Sequence, residues 1–80
     1  MHYVYLLRSI SSPMQTYVGY TTDLRARLSD HNKGKSKHTS KYPPWELVSY
    51  HAFAQKEKAL DFERYLKTGS GKAFANKRFW

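Results

Sequence analysis

The segment YVGYTTDLRARLSDH, residues 17–31, decides how this chain folds. It begins with aromatic and β-branched residues, which favour a strand, and passes through a polar turn into a helical pattern. Leu24 and Leu28 are four residues apart, so both lie on the side of the predicted helix that faces the core. Arg27 and His31 share this spacing, with His31 at the edge of the apolar stripe and Arg27 nearer to solvent or a ligand. Together with the tyrosine that opens the segment, they favour an active site.

The ends of this helix carry sequence signals. Thr21 or Thr22 is the predicted N-terminal cap, because a hydroxyl oxygen accepts hydrogen bonds from the free N–H groups of the first turn. Asp23 then lies in the first turn, where its negative charge interacts favourably with the helix dipole. Gly34 is the predicted stop, because glycine readily adopts the left-handed backbone conformation that follows many helices.

The remaining segments predict a single domain over residues 1–80, in the α/β (α+β) class. His2–Arg8 is a strand with two apolar faces, so we expect it to be buried on both sides. A Ser-Ser-Pro turn leads to its antiparallel partner, Gln15–Tyr20. A third strand, Glu46–Phe53, and two helices, Lys56–Lys67 and Ser70–Trp80, follow. Gly69 is predicted to close the first of these two helices. The predicted element order is β-β-α-β-α-α.

Charge is the most informative feature of the composition. The chain has 80 residues, with 14 Lys and Arg against six Asp and Glu, and a net charge of +8. Such an excess favours a polyanionic partner, most often a nucleic acid. The alternative is a basic, solvated surface without a partner. The lysines after the first helix are predicted to contact backbone phosphates, which gives affinity without sequence choice: Lys33, Lys35, Lys37 and Lys41.

Other parts of the composition limit the function classes. The chain has no cysteine, so disulfides and thiolate zinc sites are excluded. Met1 leads directly into a strand pattern instead of an apolar signal segment, and no apolar run approaches the roughly 20 residues of a membrane helix. We therefore expect a soluble, cytoplasmic protein. Seven tyrosines, four phenylalanines and two tryptophans provide large apolar groups for the core of so small a domain.

A carboxylate interrupts the apolar face of the second helix. That face is formed by Ala59, Phe62 and Leu66. Glu63 lies within it, and a carboxylate in such a position needs a partner, because an unpaired buried charge is costly. The partner is either a lysine of the same helix, Lys67 or Lys56, or a metal ion or substrate. A rim position that keeps the carboxylate in water is the remaining alternative.

Five features in register resemble the GIY-YIG nuclease superfamily. The first signature triad is Tyr3-Val4-Tyr5 and the second is Tyr17-Val18-Gly19. Arg27 follows eight residues after that glycine, and His31 lies one helical turn later. Glu63 matches the glutamate that the superfamily carries on its second helix.

The resemblance extends from residue 2 to about residue 67. The length and the segment Trp45-Glu46-Leu47-Val48 further resemble the small stand-alone group related to the N-terminal nuclease domain of the UvrC excision-repair subunit. Tyr3 replaces the glycine of the first triad, a change that the stand-alone group shares. Asn76 is a candidate for the polar residue that some members carry after the glutamate.

The resemblance implies a three-stranded antiparallel sheet flanked by helices, and hydrolysis of DNA phosphodiester bonds with one divalent ion, Mg²⁺ or Mn²⁺. Glu63 would bind this ion, a hard cation that prefers oxygen ligands. Arg27 would bind the phosphate through its planar fork of donors. Tyr17 or Tyr5 would orient or deprotonate the attacking water, and His31 would position the phenol or relay its proton. The expected DNA is branched, nicked or single-stranded, and RNA stays open as a substrate.

Each of these residues also has an ordinary structural role. Without the resemblance, Tyr5 and Tyr17 are core aromatics of strands. His31 is then a hydrogen-bonded histidine at the edge of the core, and Arg27 is a solvated charge. Two further functions stay open: a nucleic-acid-binding module whose catalytic residues are vestigial, and an adaptor that docks on a larger repair assembly. The pattern leaves the oligomeric state open.

Overall fold

The computed structural model describes residues 1–80 as three strands and three helices. In chain order they are β1 (His2–Ser9), β2 (Thr16–Thr21), α1 (Leu24–Asn32), β3 (Trp45–Phe53), α2 (Lys56–Leu66) and α3 (Gly69–Arg78). The strands form one antiparallel sheet in the order β2-β1-β3. The fold class and the element order predicted from the sequence are confirmed. None of the three helices combines the length and the apolar character that a membrane span requires.

One face of the central strand packs beneath the two C-terminal helices. Val4 and Leu6 of β1 are fully buried there. They form one cluster with Ala59 and Leu66 of α2 and with Ala75 of α3. This cluster holds α2 and α3 against the sheet by the removal of apolar surface from water.

The opposite face of the central strand packs against α1. Tyr5 and Leu7 are buried on this side together with Trp45, the first residue of β3. Leu24 and Leu28 of α1 pack against the same three residues. The predictions that β1 is buried on both faces and that these two leucines face the core are therefore confirmed.

The start of α1 differs from the sequence prediction by one or two residues. Asp23 is the N-terminal cap, and its carboxylate accepts a hydrogen bond from the backbone N–H of Ala26. Thr21 instead accepts a hydrogen bond from the N–H of Asp23, so the prediction of Thr21 or Thr22 as the cap is wrong. Aspartate and threonine both cap helices well. Here the hydroxyl of Thr21 is used by the N–H of Asp23, and the carboxylate of Asp23 reaches the N–H of Ala26 in the first turn. Gly34 follows the helix with a positive φ of 75°, as expected of a stop.

The junction between the last two helices also corrects a prediction. α2 ends at Leu66, and Gly69 begins α3 instead of closing α2. The physical reason is Thr68, whose hydroxyl oxygen accepts a hydrogen bond from the N–H of Gly71 and so caps a new helix at once. The last helix accordingly spans Gly69–Arg78 instead of Ser70–Trp80.

The glycine of the second triad is required by a neighbouring phenol. Gly19 lies opposite Tyr5 in the pairing of β1 with β2. A Cβ atom at Gly19 would overlap the ring and hydroxyl of Tyr5, and it would lie 2.9 Å from Cε2 of Tyr17. The Tyr5 side chain therefore occupies the space above Gly19 that any other residue would need.

We expect Gly19→Ala to lower the free energy of unfolding by about 1–3 kcal/mol, because a packed region must move to accept the methyl group. Urea unfolding followed by tryptophan fluorescence measures the change. Gly69→Ala is the matched control, because no atom lies within 4 Å of its added Cβ, and it should be neutral or slightly stabilising. Equal losses in the two variants would contradict the packing argument.

Candidate active site

A buried chain of hydrogen bonds crosses the interface between β1 and α1. The Tyr5 hydroxyl lies 2.8 Å from Nε2 of His31, and Nδ1 of His31 lies 2.6 Å from Oγ1 of Thr39. His31 and Thr39 are completely inaccessible to water, and Tyr5 is 2% exposed. Both ring nitrogens of the histidine are thus satisfied inside the protein. The sequence placed His31 at the edge of the apolar stripe of α1, and in the structure the loop after α1 covers this position, so His31 is fully buried.

The loop that carries Thr39 is fixed by two further contacts. Nε1 of Trp45 donates a hydrogen bond to the carbonyl oxygen of Thr39 at 2.9 Å. The side-chain amide of Asn32, at the end of α1, bonds to both the N–H and the carbonyl oxygen of Trp45. The indole of β3 and the amide of α1 therefore hold the loop in the position that completes the His31 environment.

Tyr17 of β2 adds a second phenol beside this chain. Its ring centroid lies 5.0 Å from that of His31 and 6.2 Å from that of Tyr5. The imidazole of His38 stacks on Tyr17, with ring centroids 6.3 Å apart and planes inclined by 21°. Tyr17 is only half-buried, whereas Tyr5 is enclosed. Water and a ligand therefore reach the phenol of Tyr17 but not that of Tyr5.

The electrostatics of Tyr5 show which charges surround it. Burial raises the pKa of the Tyr5 phenol to about 12. The interaction with Arg27 opposes this rise, whereas the nearby charges of Tyr17 and Glu63 add to it. The same interaction with Tyr5 raises the pKa of Arg27. An arginine of α1 and a glutamate of α2 thus act on one phenol of β1.

His31 is held in its neutral form. Burial lowers the pKa of His31, and the positive charge of Arg27 lowers it further, against the weaker opposing effect of Asp30. A neutral imidazole has one donor and one acceptor nitrogen. The two hydrogen bonds of His31 must therefore run in the same direction along the chain, from Tyr5 toward Thr39 or the reverse.

Glu63 has a partner within its own helix. Its side chain is 19% exposed, and its Oε2 forms an ion pair with Nζ of Lys67 at 3.1 Å. The lysine partner considered from the sequence is therefore present, and it is Lys67 and not Lys56. No group of three or more His, Cys, Asp or Glu side chains is arranged to hold a metal ion.

Two surfaces flank the site. A cavity of about 210 Å³ is lined by Arg27, Asp30, His31, Lys35 and Ser36, and Lys35 also forms a 3.9 Å ion pair with Asp30. The other lysines predicted to bind nucleic acid are exposed on the loop but do not line this cavity: Lys33, Lys37 and Lys41. A second, larger cleft is lined by residues of β2, α2 and α3, among them Tyr17 and Asn76.

Sequence reasoning missed two residues of the site. Thr39 and His38 lie in a polar, lysine-rich loop without any periodicity. Nothing in that loop indicates that it folds back over α1. A buried histidine needs partners for both ring nitrogens, and this is the only signal that could have pointed to Thr39. It was not usable, because the helical spacing placed His31 at the edge of the apolar stripe.

The fold and the site together define a family. Residues 1–78 match the family model described as the GIY-YIG catalytic domain. The chain therefore belongs to the GIY-YIG family, which is of nuclease type. The family resemblance carried by the two triads and the three residues after them is confirmed.

The most similar relatives found include small proteins of the UPF0213 group. A UPF0213 protein of Bacillus pumilus (strain SAFR-032) is 40% identical over 72 residues, which are 89% of this chain and 71% of that protein. One from Streptococcus pneumoniae serotype 4 is 48% identical over 52 residues, 64% of this chain and 52% of that protein. The solution NMR structure of a UPF0213 protein from Bacillus halodurans is similar with a TM-score of 0.56 and 35% identity, covering 95% of this chain and 82% of that chain.

Acid should destabilise the protein through His31. Because the pKa of His31 is lower in the folded protein than in the unfolded chain, the unfolded chain binds the extra proton first as the pH falls, and stability declines below about pH 6.5. The slope for one histidine cannot exceed about 1.4 kcal/mol per pH unit.

The free energy of unfolding between pH 7.5 and 5.5 tests this expectation. We expect a shallower pH dependence in His31→Gln than in His38→Gln, because His38 is exposed. Both variants remove one imidazole from neighbouring parts of the same site. Identical slopes in the two variants would contradict the assignment of the acid sensitivity to His31.

Proposed function

We propose that this protein is a metal-dependent endonuclease that hydrolyses phosphodiester bonds of DNA, on branched, nicked or single-stranded forms. One observation carries the proposal: the rings of Tyr17 and His31 lie 6.2 and 5.7 Å from the ring of Tyr5, and the charges of Arg27 and Glu63 influence the pKa of the same phenol, although four separate elements carry these five residues. Membership of a nuclease-type family and the net charge of +8 support the same reaction and a polyanionic substrate.

Hydrolysis of a phosphodiester needs an oriented water, charge stabilisation on the non-bridging oxygens and help for the leaving oxygen. Arg27 is exposed on α1 and lines the 210 Å³ cavity beside His31. Its guanidinium offers parallel N–H donors that match a phosphate. In this proposal Arg27 binds the non-bridging oxygens and stabilises the negative charge that develops on them.

The two tyrosines then have different tasks. Tyr5, with a pKa of about 12, stays protonated at neutral pH and holds His31 by its hydrogen bond. Tyr17 is the accessible phenol, so it orients the attacking water; once the proton of the phenol has passed to solvent, the phenolate accepts a proton from that water. His31, in contact with the Tyr17 ring, positions that phenol.

Glu63 is the residue that would hold Mg²⁺ or Mn²⁺. Magnesium is often bound through one or two carboxylates, with water and substrate phosphates completing its shell. A single half-enclosed carboxylate therefore fits such an ion, although no three-residue ligand cluster is present. When bound, the ion neutralises charge on the phosphate and on the leaving oxygen. Lys67 holds the carboxylate in position through its 3.1 Å ion pair.

One observation favours a second function, a nucleic-acid-binding module without catalysis. The ion pair with Lys67 satisfies Glu63 without any metal. Such a module would bind DNA or RNA through its positive charge, and its affinity would fall steeply with salt. Wild-type protein that binds nucleic acid but cleaves none of the substrates in Mg²⁺ or Mn²⁺ would establish this function instead.

Glu63→Gln should abolish cleavage and leave folding and DNA binding in place, because the amide has nearly the same shape but cannot provide the negative charge. A panel of labelled branched, flapped, nicked and single-stranded DNAs, with each metal ion, measures this. Glu57→Gln is the matched control, since Glu57 is an exposed glutamate in the first turn of the same helix. Activity retained in Glu63→Gln would sink the mechanism.

Arg27→Lys should reduce the cleavage rate by about 100-fold or more, because lysine keeps the charge but loses the planar fork of donors. Arg25→Lys makes the same chemical change at an exposed position of α1 that does not line the cavity. Its rate should stay within about twofold of the wild-type value. Single-turnover cleavage compares the two variants, and similar rates would remove Arg27 from the reaction.

A further inference from the structure

A cleft of about 440 Å³ lies between β2, α2 and α3. Its volume is within the range of sites that enclose small molecules. Tyr17, whose ring contacts His31, is among the residues that line it. Lys67, the ion-pair partner of Glu63, lines it as well. The cleft therefore shares one residue with the candidate active site and adjoins Glu63 through another.

The walls of the cleft are cationic. Lys67 and Lys72 both line it, and no aspartate or glutamate does. The three ion pairs of the protein leave Lys72 without a carboxylate partner. Lys67 is paired with Glu63, whereas the ammonium group of Lys72 is available to attract an anion, and its three rotatable N–H donors suit the oxygens of a phosphate.

The rest of the lining is aromatic and apolar. Trp80 closes one side of the cleft, with Val18 and Leu66 behind it. Arg8 fixes Trp80 in place, because its guanidinium donates a hydrogen bond to the Trp80 carbonyl oxygen at 2.9 Å and lies 5.7 Å from the centre of the indole. An indole held in this way is a ready surface for stacking, since little conformational freedom is lost when a planar group packs on it.

We propose that this cleft binds one nucleotide of the substrate strand next to the phosphate that is cleaved. Lys72 binds the phosphate of this nucleotide, and the base stacks on Trp80. A planar group joined to an anion is the chemistry that fits both halves of the lining, which an acidic peptide or a free phosphate does not. The inference rests on the proposed function, because it takes the bond cleaved beside Tyr17 as its reference point.

The cleft would also be a second positively charged surface that contacts the substrate strand. The cavity beside Arg27 includes Lys35 of the loop, and the cleft between α2 and α3 is a separate surface. Tyr17 contacts His31 on the first side and lines the cleft on the second. A strand that occupies both surfaces crosses Tyr17. Stacking and phosphate contacts of this kind tolerate any base, so the subsite adds affinity without sequence choice.

Lys72→Glu and Lys77→Glu form a matched pair that tests the subsite. Both lysines are exposed on α3, both changes alter the charge equally, and only Lys72 lines the cleft. Binding of fluorescein-labelled oligothymidylate is measured by anisotropy in EDTA, so no cleavage occurs. We expect Lys72→Glu to weaken binding about tenfold more than Lys77→Glu and to reduce the salt slope by about one unit more. Equal effects would overturn the proposal.

The intrinsic fluorescence of Trp80 provides a second measurement that does not depend on charge. The other tryptophan, Trp45, is only 4% exposed, so quenching by added oligothymidylate reports on Trp80. We expect quenching in the wild type, loss of it in Trp80→Phe, and unchanged quenching in Lys77→Glu. Circular dichroism checks that each variant is folded. Quenching that persists in Trp80→Phe would overturn the stacking contact.

The same experiments distinguish a free nucleotide from a nucleotide within a strand. They also distinguish failure of the cleft proposal from failure of the nuclease proposal. Thymidine 5′-monophosphate should bind at least about 100-fold more weakly than the oligonucleotide, because a strand also contacts the loop lysines. Equal affinity would mean a free-nucleotide site and would overturn the proposal of a strand subsite. If the wild type cleaves no substrate, the nuclease proposal fails, whereas the Lys72 and Lys77 comparison still decides whether the cleft binds a strand.

Discussion

The hydrogen bond between the Tyr5 hydroxyl and Nε2 of His31, 2.8 Å long, is the interaction on which the rest of the structure depends. It connects the central strand to the last turn of α1 in a region without water. A buried polar group without a partner costs about 1–3 kcal/mol, so the strand, the helix and the Thr39 loop are stable only together. The same bond fixes the Tyr5 ring above Gly19 and the His31 ring against Tyr17.

The candidate site is therefore also half of the core. On the α2 and α3 side, the sheet is covered by aliphatic and aromatic side chains, whereas on the α1 side a phenol, an imidazole and a hydroxyl are buried beside the apolar side chains. The buried side-chain atoms without a partner, Ser49 Oγ and His51 Nε2, belong to β3 and not to the Tyr5 chain. Full satisfaction of a buried polar network keeps its groups rigid, which is what a reaction at the neighbouring Tyr17 requires.

The fold could be predicted from the sequence, because alternation in strands and four-residue spacing in helices depend on local geometry alone. The apolar faces of β1 and the inward position of Glu63 follow from that geometry. The burial of His31 does not, since it depends on a loop without a pattern that places Thr39 against the ring. Of the two lysines considered as partners of Glu63, Lys56 lies seven residues before it and Lys67 four residues after it, and the ion pair forms with Lys67, at the spacing of one helical turn.

The most direct measurement of the central claim is the location of a bound ion relative to the two phenols, by NMR line broadening during titration with Mn²⁺. If the five groups converge on one site, the signals of Glu63 and the ring signals of Tyr17 broaden first, and Glu63→Gln removes the effect. Broadening that centres on Asp30 or Glu57 and leaves Tyr17 unchanged would contradict the account, because the carboxylate and the phenols would then serve separate parts of the molecule.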